Sequence, residues 1–153
     1  MDAEAKLREM GLELPPAPHP VANYVPAVQV GNLLFVSGHG PARGGAFPAK
    51  GKLGRELTVE QGYQAAQAVA LNMLSTVKAT MGSLDRVRRV VKLLGMVNSA
   101  EGFSQQPAVI NGASDLLVAV FGEAGRHARS AVGMAELPMG IPVEIEMILE
   151  VAE

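Results

Sequence analysis

Cysteine is absent from these 153 residues. That excludes disulfides and thiolate metal sites, and it suits a reducing cytoplasm, the expected location. Aromatic residues are only 4% of the chain, against eight methionines, so the core is expected to be aliphatic. Excess charge of one sign is missing as well. A formal net charge of −2 gives no broad electrostatic footprint, and nucleic acid is not an expected partner. No apolar run reaches the roughly 20 residues that a membrane-spanning helix needs, so no membrane partner is expected either. The opening MDAEAKLREMGLEL carries mixed charge and does not have the pattern of a signal peptide. Internal repeats and low-complexity tracts are lacking. The glycine stretches SGHGP and RGG lack the spacing and the following helix of a dinucleotide or phosphate loop.

What is present points to one globular domain over 1–153. A chain that is 48% hydrophobic and this long can bury a core without staples. Asp2 to Met10 reads as a short helix stopped by Gly11. The proline-rich segment ELPPAPHPVANYVP follows, extended rather than helical. Residues 1–23 thus form an N-terminal helix and arm. Gly31-Asn32 is the turn of a hairpin with strands near Val25–Val30 and Leu33–Ser37. ARGGAFPAKGKLG is loop with room for one short strand.

Thr58 and Gln61 form a capping box. They open a long helix whose stripe of Val59, Tyr63, Ala66, Val69, Met73 and Val77 ends at Gly82. Val87 to Val97 is a strand. Ser104 to Phe121 is a second amphipathic helix with Ser104 as N-cap, and Asn111-Gly112 in its middle is locally unfavourable. Two strands joined by Pro-Met-Gly finish the chain. The order β-β-(β)-α-β-α-β-β predicts an α+β domain, one mixed sheet with two long helices packed on one face. The other face carries Glu144, Glu146, Ile148 and Glu150, which suits oligomeric packing.

The residues that could carry chemistry cluster near the C-terminus. Arg129, at a strand start, suits either an ion pair or a bidentate clamp on a carboxylate. Glu144 and Glu146 share one strand face, opposite Val143, Ile145, Met147, Leu149 and Val151. They fit a solvated polar face, an acid/base carboxylate or a hard-metal site. The two histidines outside the proline-rich segment, His39 and His127, lack ligand spacing, so no metal is expected. Tyr24 reads as an edge tyrosine and His39 as a glycine-framed loop residue past a strand end. Asn111 serves either an interhelical hydrogen bond or a reach into a pocket. Arg86, Arg88, Arg89 and Lys92 make a small basic cluster.

ANYVPAVQVGNLLFVSGHGP, followed at distance by ARSAVGMAELPMGIPVEIEMILEV, resembles the Rid (YjgF) family of imine/enamine deaminases, in particular its endoribonuclease L-PSP-like subgroup. The carrying residues are Arg129-Ser130, Leu137-Pro138 and Val143-Glu144-Ile145-Glu146. The resemblance implies a chorismate-mutase-like fold and a homotrimer with active sites between subunits. It implies an enzyme of the 2-iminobutanoate/2-iminopropanoate deaminase type, which hydrolyses 2-imino or enamine acids such as 2-aminoacrylate to 2-keto acids and ammonia without a cofactor. On that resemblance Arg129 would bind the substrate carboxylate and Glu144 would polarise the attacking water, as the catalytic pair. Tyr24, Ser37, Gly38, His39, Asn111 and Ala131 would line the substrate. Ala131 stands where many members have cysteine, and His39 where many have glutamine. Two alternatives accompany this reading: a non-catalytic trimer that binds small carboxylates, and an endoribonuclease or translation inhibitor.

Overall fold

A computed structural model describes residues 2–18 and 23–153. The elements are α1 (Ala3–Glu9), β1 (Ala27–Val30), β2 (Leu33–His39), α2 (Val59–Met81), β3 (Val87–Asn98), α3 (Gln106–Phe121), β4 (Ala128–Met134) and β5 (Val143–Val151). They build one five-stranded sheet in the order β1-β2-β5-β3-β4. Every pairing is antiparallel except β3 with β4, so the sheet is mixed. Helices α2 and α3 pack on one face, and the α+β expectation holds.

Local chemistry accounts for the elements. The Thr58 hydroxyl accepts from the Gln61 amide, and the Gln61 side chain returns the bond to the Thr58 amide. Such a cap is worth about 1 kcal/mol. Gly82 ends α2 in the left-handed region at φ 86, which a Cβ would resist. On β5, Val143, Ile145, Met147, Leu149 and Val151 are buried while the residues between them are not, the period of a strand covered on one side.

Asn111-Gly112 finds its reason in packing. A Cβ on Gly112 would run into the Tyr63 carbonyl and would stand 3.1 Å from the Ala66 Cβ. The glycine therefore lets α3 close on α2, and its propensity deficit is offset by that approach. Helix α3 starts at Gln106, not Ser104. Its N-cap, Gln105, makes no side-chain capping bond, and Pro107 sits in the first turn, where a missing N–H does no harm. Gln106–Gly125 is 20 residues of mean hydropathy 1.2, apolar and long enough to cross a membrane by those measures. It is a core helix here, burying Val109, Ile110, Leu116, Leu117 and Val120.

Beyond β2 the expected extra strand is replaced by single bridges, Arg43 with Ala46 and Leu53 with Leu57 and Ser99. The N-terminal segment is draped over the outer side of α2. Ala3 and Leu7 are buried, Lys78 pairs with Glu4 at 2.5 Å, and the Ser75 hydroxyl donates to the Pro15 carbonyl at 2.6 Å. This second cover explains why α2 is buried on nearly all sides from Ala66 to Val77.

Candidate active site: two half-sites on opposite faces of one sheet

Register decides where the charged residues go. Leu93 of β3 lies opposite Arg129 on one side and Met147 on the other. Residues directly opposite share a face, and Leu93 and Met147 are buried beneath the helices. Arg129 therefore points to the helix side. Met96 lies opposite Glu144 and Val132, so Glu144 points to the open side. Within one chain the expected catalytic pair is thus split between two places.

The Glu144 half surrounds a cavity of about 350 Å³. A bulge in β2 builds its floor. Val36 pairs with Met147 and His39 with Ile145, so Ser37 and Gly38 together oppose Glu146. The Glu144 carboxylate lies directly over Gly38: a Cβ there would collide with it and would sit 3.1 Å from its Cδ. Burial pushes the Glu144 carboxyl above the ordinary glutamate value, and Glu146 beside it pushes the same way. Tyr24 hangs over the rim, 49% exposed. It is held there through Ser37, whose hydroxyl donates to the Val25 carbonyl at 2.8 Å and whose amide donates to Pro26 at 2.9 Å.

His39 is not the loop residue that the glycines suggested. It ends β2 and is buried. Its Nδ1 lies 2.6 Å from the Ser37 carbonyl and its Nε2 2.8 Å from the Thr76 hydroxyl. A carbonyl only accepts, so Nδ1 carries the proton and Nε2 accepts from Thr76. Burial lowers its pKa, which keeps the ring neutral. His39 lines the cavity with both ring nitrogens engaged inside the protein.

Sequence reasoning missed Asn72. Its Nδ2 donates to the Gly40 and Ala42 carbonyls, each at 2.9 Å, and fixes the chain as it leaves β2. An asparagine within the apolar run AVALNML was the available signal, since a polar side chain there needs a partner. The opposite wall, Pro138–Gly140, is tied down by the Gly51 amide on Gly140 at 2.8 Å and by Asn98 Nδ2 on Ile141 at 3.1 Å. Lys52 donates to Asn98 at 2.8 Å and to the Ala135 carbonyl.

The Arg129 half is a polar cluster on α3. Arg129 Nη1 donates to Asn111 Oδ1 at 2.9 Å and to Ser114 Oγ at 3.0 Å, and Nη2 donates to the Pro107 carbonyl at 3.2 Å. Behind it, His127 Nδ1 donates to the Gly125 carbonyl at 2.7 Å, so its Nε2 accepts from the Ser114 hydroxyl at 2.9 Å. Burial lowers the His127 pKa, and the Arg129 charge adds to that. Asn111 and Ala131 accompany Arg129; Tyr24, Ser37, Gly38 and His39 accompany Glu144. Arg86 of the basic cluster is occupied, donating to the Met81 and Ala152 carbonyls at 3.3 and 3.1 Å. Among the described residues no group of acidic and histidine side chains is arranged to hold a metal.

Comparison with known proteins agrees with this architecture. The family described as "YjgF/chorismate mutase-like, putative endoribonuclease" matches residues 4–148. Protein TCP17 of Trypanosoma cruzi is 49% identical over 95% of this chain and 92% of its own. The 2-iminobutanoate/2-iminopropanoate deaminase of Dermatophagoides farinae is 30% identical over 90% of this chain and 93% of its own. A solved structure of a protein of unknown function from Agrobacterium tumefaciens superposes with a TM-score of 0.92 at 48% identity, covering 98% of this chain and 92% of that one. On fold and sequence alike, this chain belongs to the YjgF (Rid) family.

Proposed function

We propose that the chain is a hydrolytic deaminase of 2-imino acids that works as a homotrimer, each active site joining the Glu144 half of one copy to the Arg129 half of the next. One observation carries this reading. A carboxylate with a raised pKa faces an apolar cavity over a glycine, while the carboxylate-binding guanidinium points away on the other face of the sheet. Each half lacks what the other supplies. The open sheet face supports assembly: Val28, Val30 and Phe35 are exposed together on β1 and β2, and Val132 is exposed on β4 at the other edge, apolar surface of the kind that association covers.

The chemistry follows from the residue types. Arg129 binds the substrate carboxylate and fixes C2 of the imine in the cavity. Water held by Glu144 attacks C2, and Glu144 takes its proton. A raised pKa makes Glu144 a better base than an ordinary glutamate at neutral pH. Glu144 then passes that proton to the carbinolamine nitrogen and takes up the hydroxyl proton as the C–N bond breaks, so ammonia leaves and the 2-keto acid remains. Atoms balance as imino acid plus water giving keto acid plus ammonia, and no cofactor enters. The fixed Ser37-Gly38 segment and the neutral His39 hold the floor without taking part in proton transfer.

The test is complementation. Arg129→Ala and Glu144→Ala proteins should each fail to speed keto-acid release from freshly generated 2-aminoacrylate. Mixed after unfolding and refolding together, they should regain activity, because some clefts then combine two intact halves. Mixed proteins that form hybrid oligomers yet stay inactive would refute the shared site.

A further inference from the structure

Gly51 and Lys52 stand side by side and hold both ends of one connector. Residues 135–142 join β4, which carries Arg129, to β5, which carries Glu144. The Gly51 amide donates to the Gly140 carbonyl at 2.8 Å, and Lys52 Nζ donates to the Ala135 carbonyl. The backbone of Lys52 is itself fixed, since its amide donates to Glu56 Oε1 at 2.8 Å.

The Lys52 side chain is only 13% exposed, and charged side chains are seldom so covered unless partnered. An ammonium has three donors and no acceptor. Three acceptors converge on this one: the Ala135 carbonyl, Asn98 Oδ1 at 2.8 Å and Glu136 Oε1 at 3.4 Å. Glu136 is 78% exposed, so its ion pair is worth little. The charge serves the two neutral oxygens. Asn98 is buried. With Oδ1 taken by Lys52, its Nδ2 donates to the Ile141 carbonyl at 3.1 Å, and its backbone amide donates to the Pro142 carbonyl at 2.9 Å. One chain of bonds thus runs from the ammonium through Asn98 to the last residues before β5. Removing the ammonium leaves a buried Oδ1 without a donor, a penalty that a shift of Asn98 relieves, and Ile141 is bonded to what shifts. All of these bonds lie within one chain, so the clamp needs no second copy.

We propose that Lys52 is a positioning residue for the deaminase reaction: its ammonium, acting through Asn98, fixes the connector that walls the Glu144 half-site. This rests on the deaminase reading above. The connector offers the site Pro138, Met139 and Ile141, none of which can move a proton. Such a wall touches ground and transition states alike, so losing its placement weakens binding and spares the chemical step.

The test removes the ammonium and puts it back. Lys52→Met keeps an apolar stem. It should raise KM for the imine generated from alanine, and Kd for pyruvate, by about tenfold, the scale of one lost bond to a charged donor, with kcat unchanged. The chain has no cysteine, so Lys52→Cys supplies its sole thiol. That variant, unfolded, treated with 2-bromoethylamine and refolded, regains an ammonium at nearly the reach of lysine. Treated with 1-iodopropane instead, it carries a neutral group of the same length. The aminoethyl form should return to the KM of refolded wild type, and the propyl form should match Lys52→Met. Glu136→Gln should leave KM unchanged. Two adducts of equal KM would overturn the inference and leave Lys52 a residue of stability alone. A Lys52→Met protein that loses kcat at unchanged KM would overturn it too, as would a Glu136→Gln protein that reproduces the rise in KM. A protein that hydrolyses imines but fails these comparisons loses this inference alone. A protein that hydrolyses no imine loses the deaminase reading, and this inference with it.

Discussion

The two half-sites solve the problem of holding a charge in opposite ways. Glu144 is set by what is removed around it. Gly38 contributes no side chain, so the carboxylate settles half-buried against the strand, and that burial, with the Glu146 charge beside it, raises its pKa. Arg129 is set by what is added. Asn111, Ser114 and the Pro107 carbonyl each accept from its guanidinium, and His127 orients Ser114 from behind. Desolvation makes a reactive base; hydrogen bonds make a placed cation. The difference matches the work proposed for each, since a base needs proton affinity and a clamp needs geometry.

Replacing Glu144 should break the first half most completely. Glu144→Gln should lower kcat by about 10²- to 10⁴-fold, the usual worth of a positioned base. It should also stabilise the fold at neutral pH. The sign follows from linkage: the folded state holds the Glu144 proton more tightly than the unfolded chain does. Ionisation therefore removes stability as pH rises through the folded pKa. Melting curves of the two proteins should converge below the ordinary glutamate pKa and separate in favour of Gln above it. A Gln variant less stable at neutral pH would show that the carboxylate is satisfied rather than desolvated.

Next in size is Gly38→Ala. The new Cβ displaces the carboxylate rather than removing it, so kcat should fall about 10²-fold, the scale of a misplacement near 1 Å. Unfolding should change little, because the neighbour that must move is the end of a flexible side chain. Acidification should reproduce part of this loss in the wild type. The pH profile of kcat/KM should fall at a midpoint above the ordinary glutamate value, and a midpoint at the ordinary value would remove desolvation from the account.

How much of this was legible in the sequence differs between the halves too. The Thr58 cap, the Gly82 stop and the alternation of β5 are local signals, and each is where the residues placed it. The pairing of Arg129 with Asn111 was readable only as a helix residue with an open purpose, because their contact spans 18 positions. The β2 bulge was not readable at all. It depends on β5 lying alongside, and it is what carries His39 inward and lays Gly38 under Glu144. The bonds of Asn72 and the docking of the arm on α2 were not legible for the same reason. Their partners lie tens of residues away, with no periodicity to announce them.

The smallest expected effect tests the hydrogen-bonded half. Ser114→Ala removes one acceptor from Arg129 and leaves the Asn111 and Pro107 bonds in place. Losing one such bond is worth about 1 kcal/mol, or about fivefold. If Arg129 grips the carboxylate equally in the ground and transition states, the loss appears as a higher KM with kcat unchanged. Ser114→Thr keeps the hydroxyl and should restore the wild-type KM, which a general packing defect would not allow. The wild type should lose affinity in acid with a midpoint below the ordinary histidine value, because a protonated His127 presents a proton where Ser114 donates and a charge near Arg129. The groups facing His127 are Ser114 from α3, the Gly125 carbonyl from the turn after it, and Arg129 from β4; none is an acid that could offset the new charge. A variant in which kcat drops while KM holds would mean that Arg129 acts on the developing transition state instead, and the contrast between a placed cation and a reactive base would have to be redrawn.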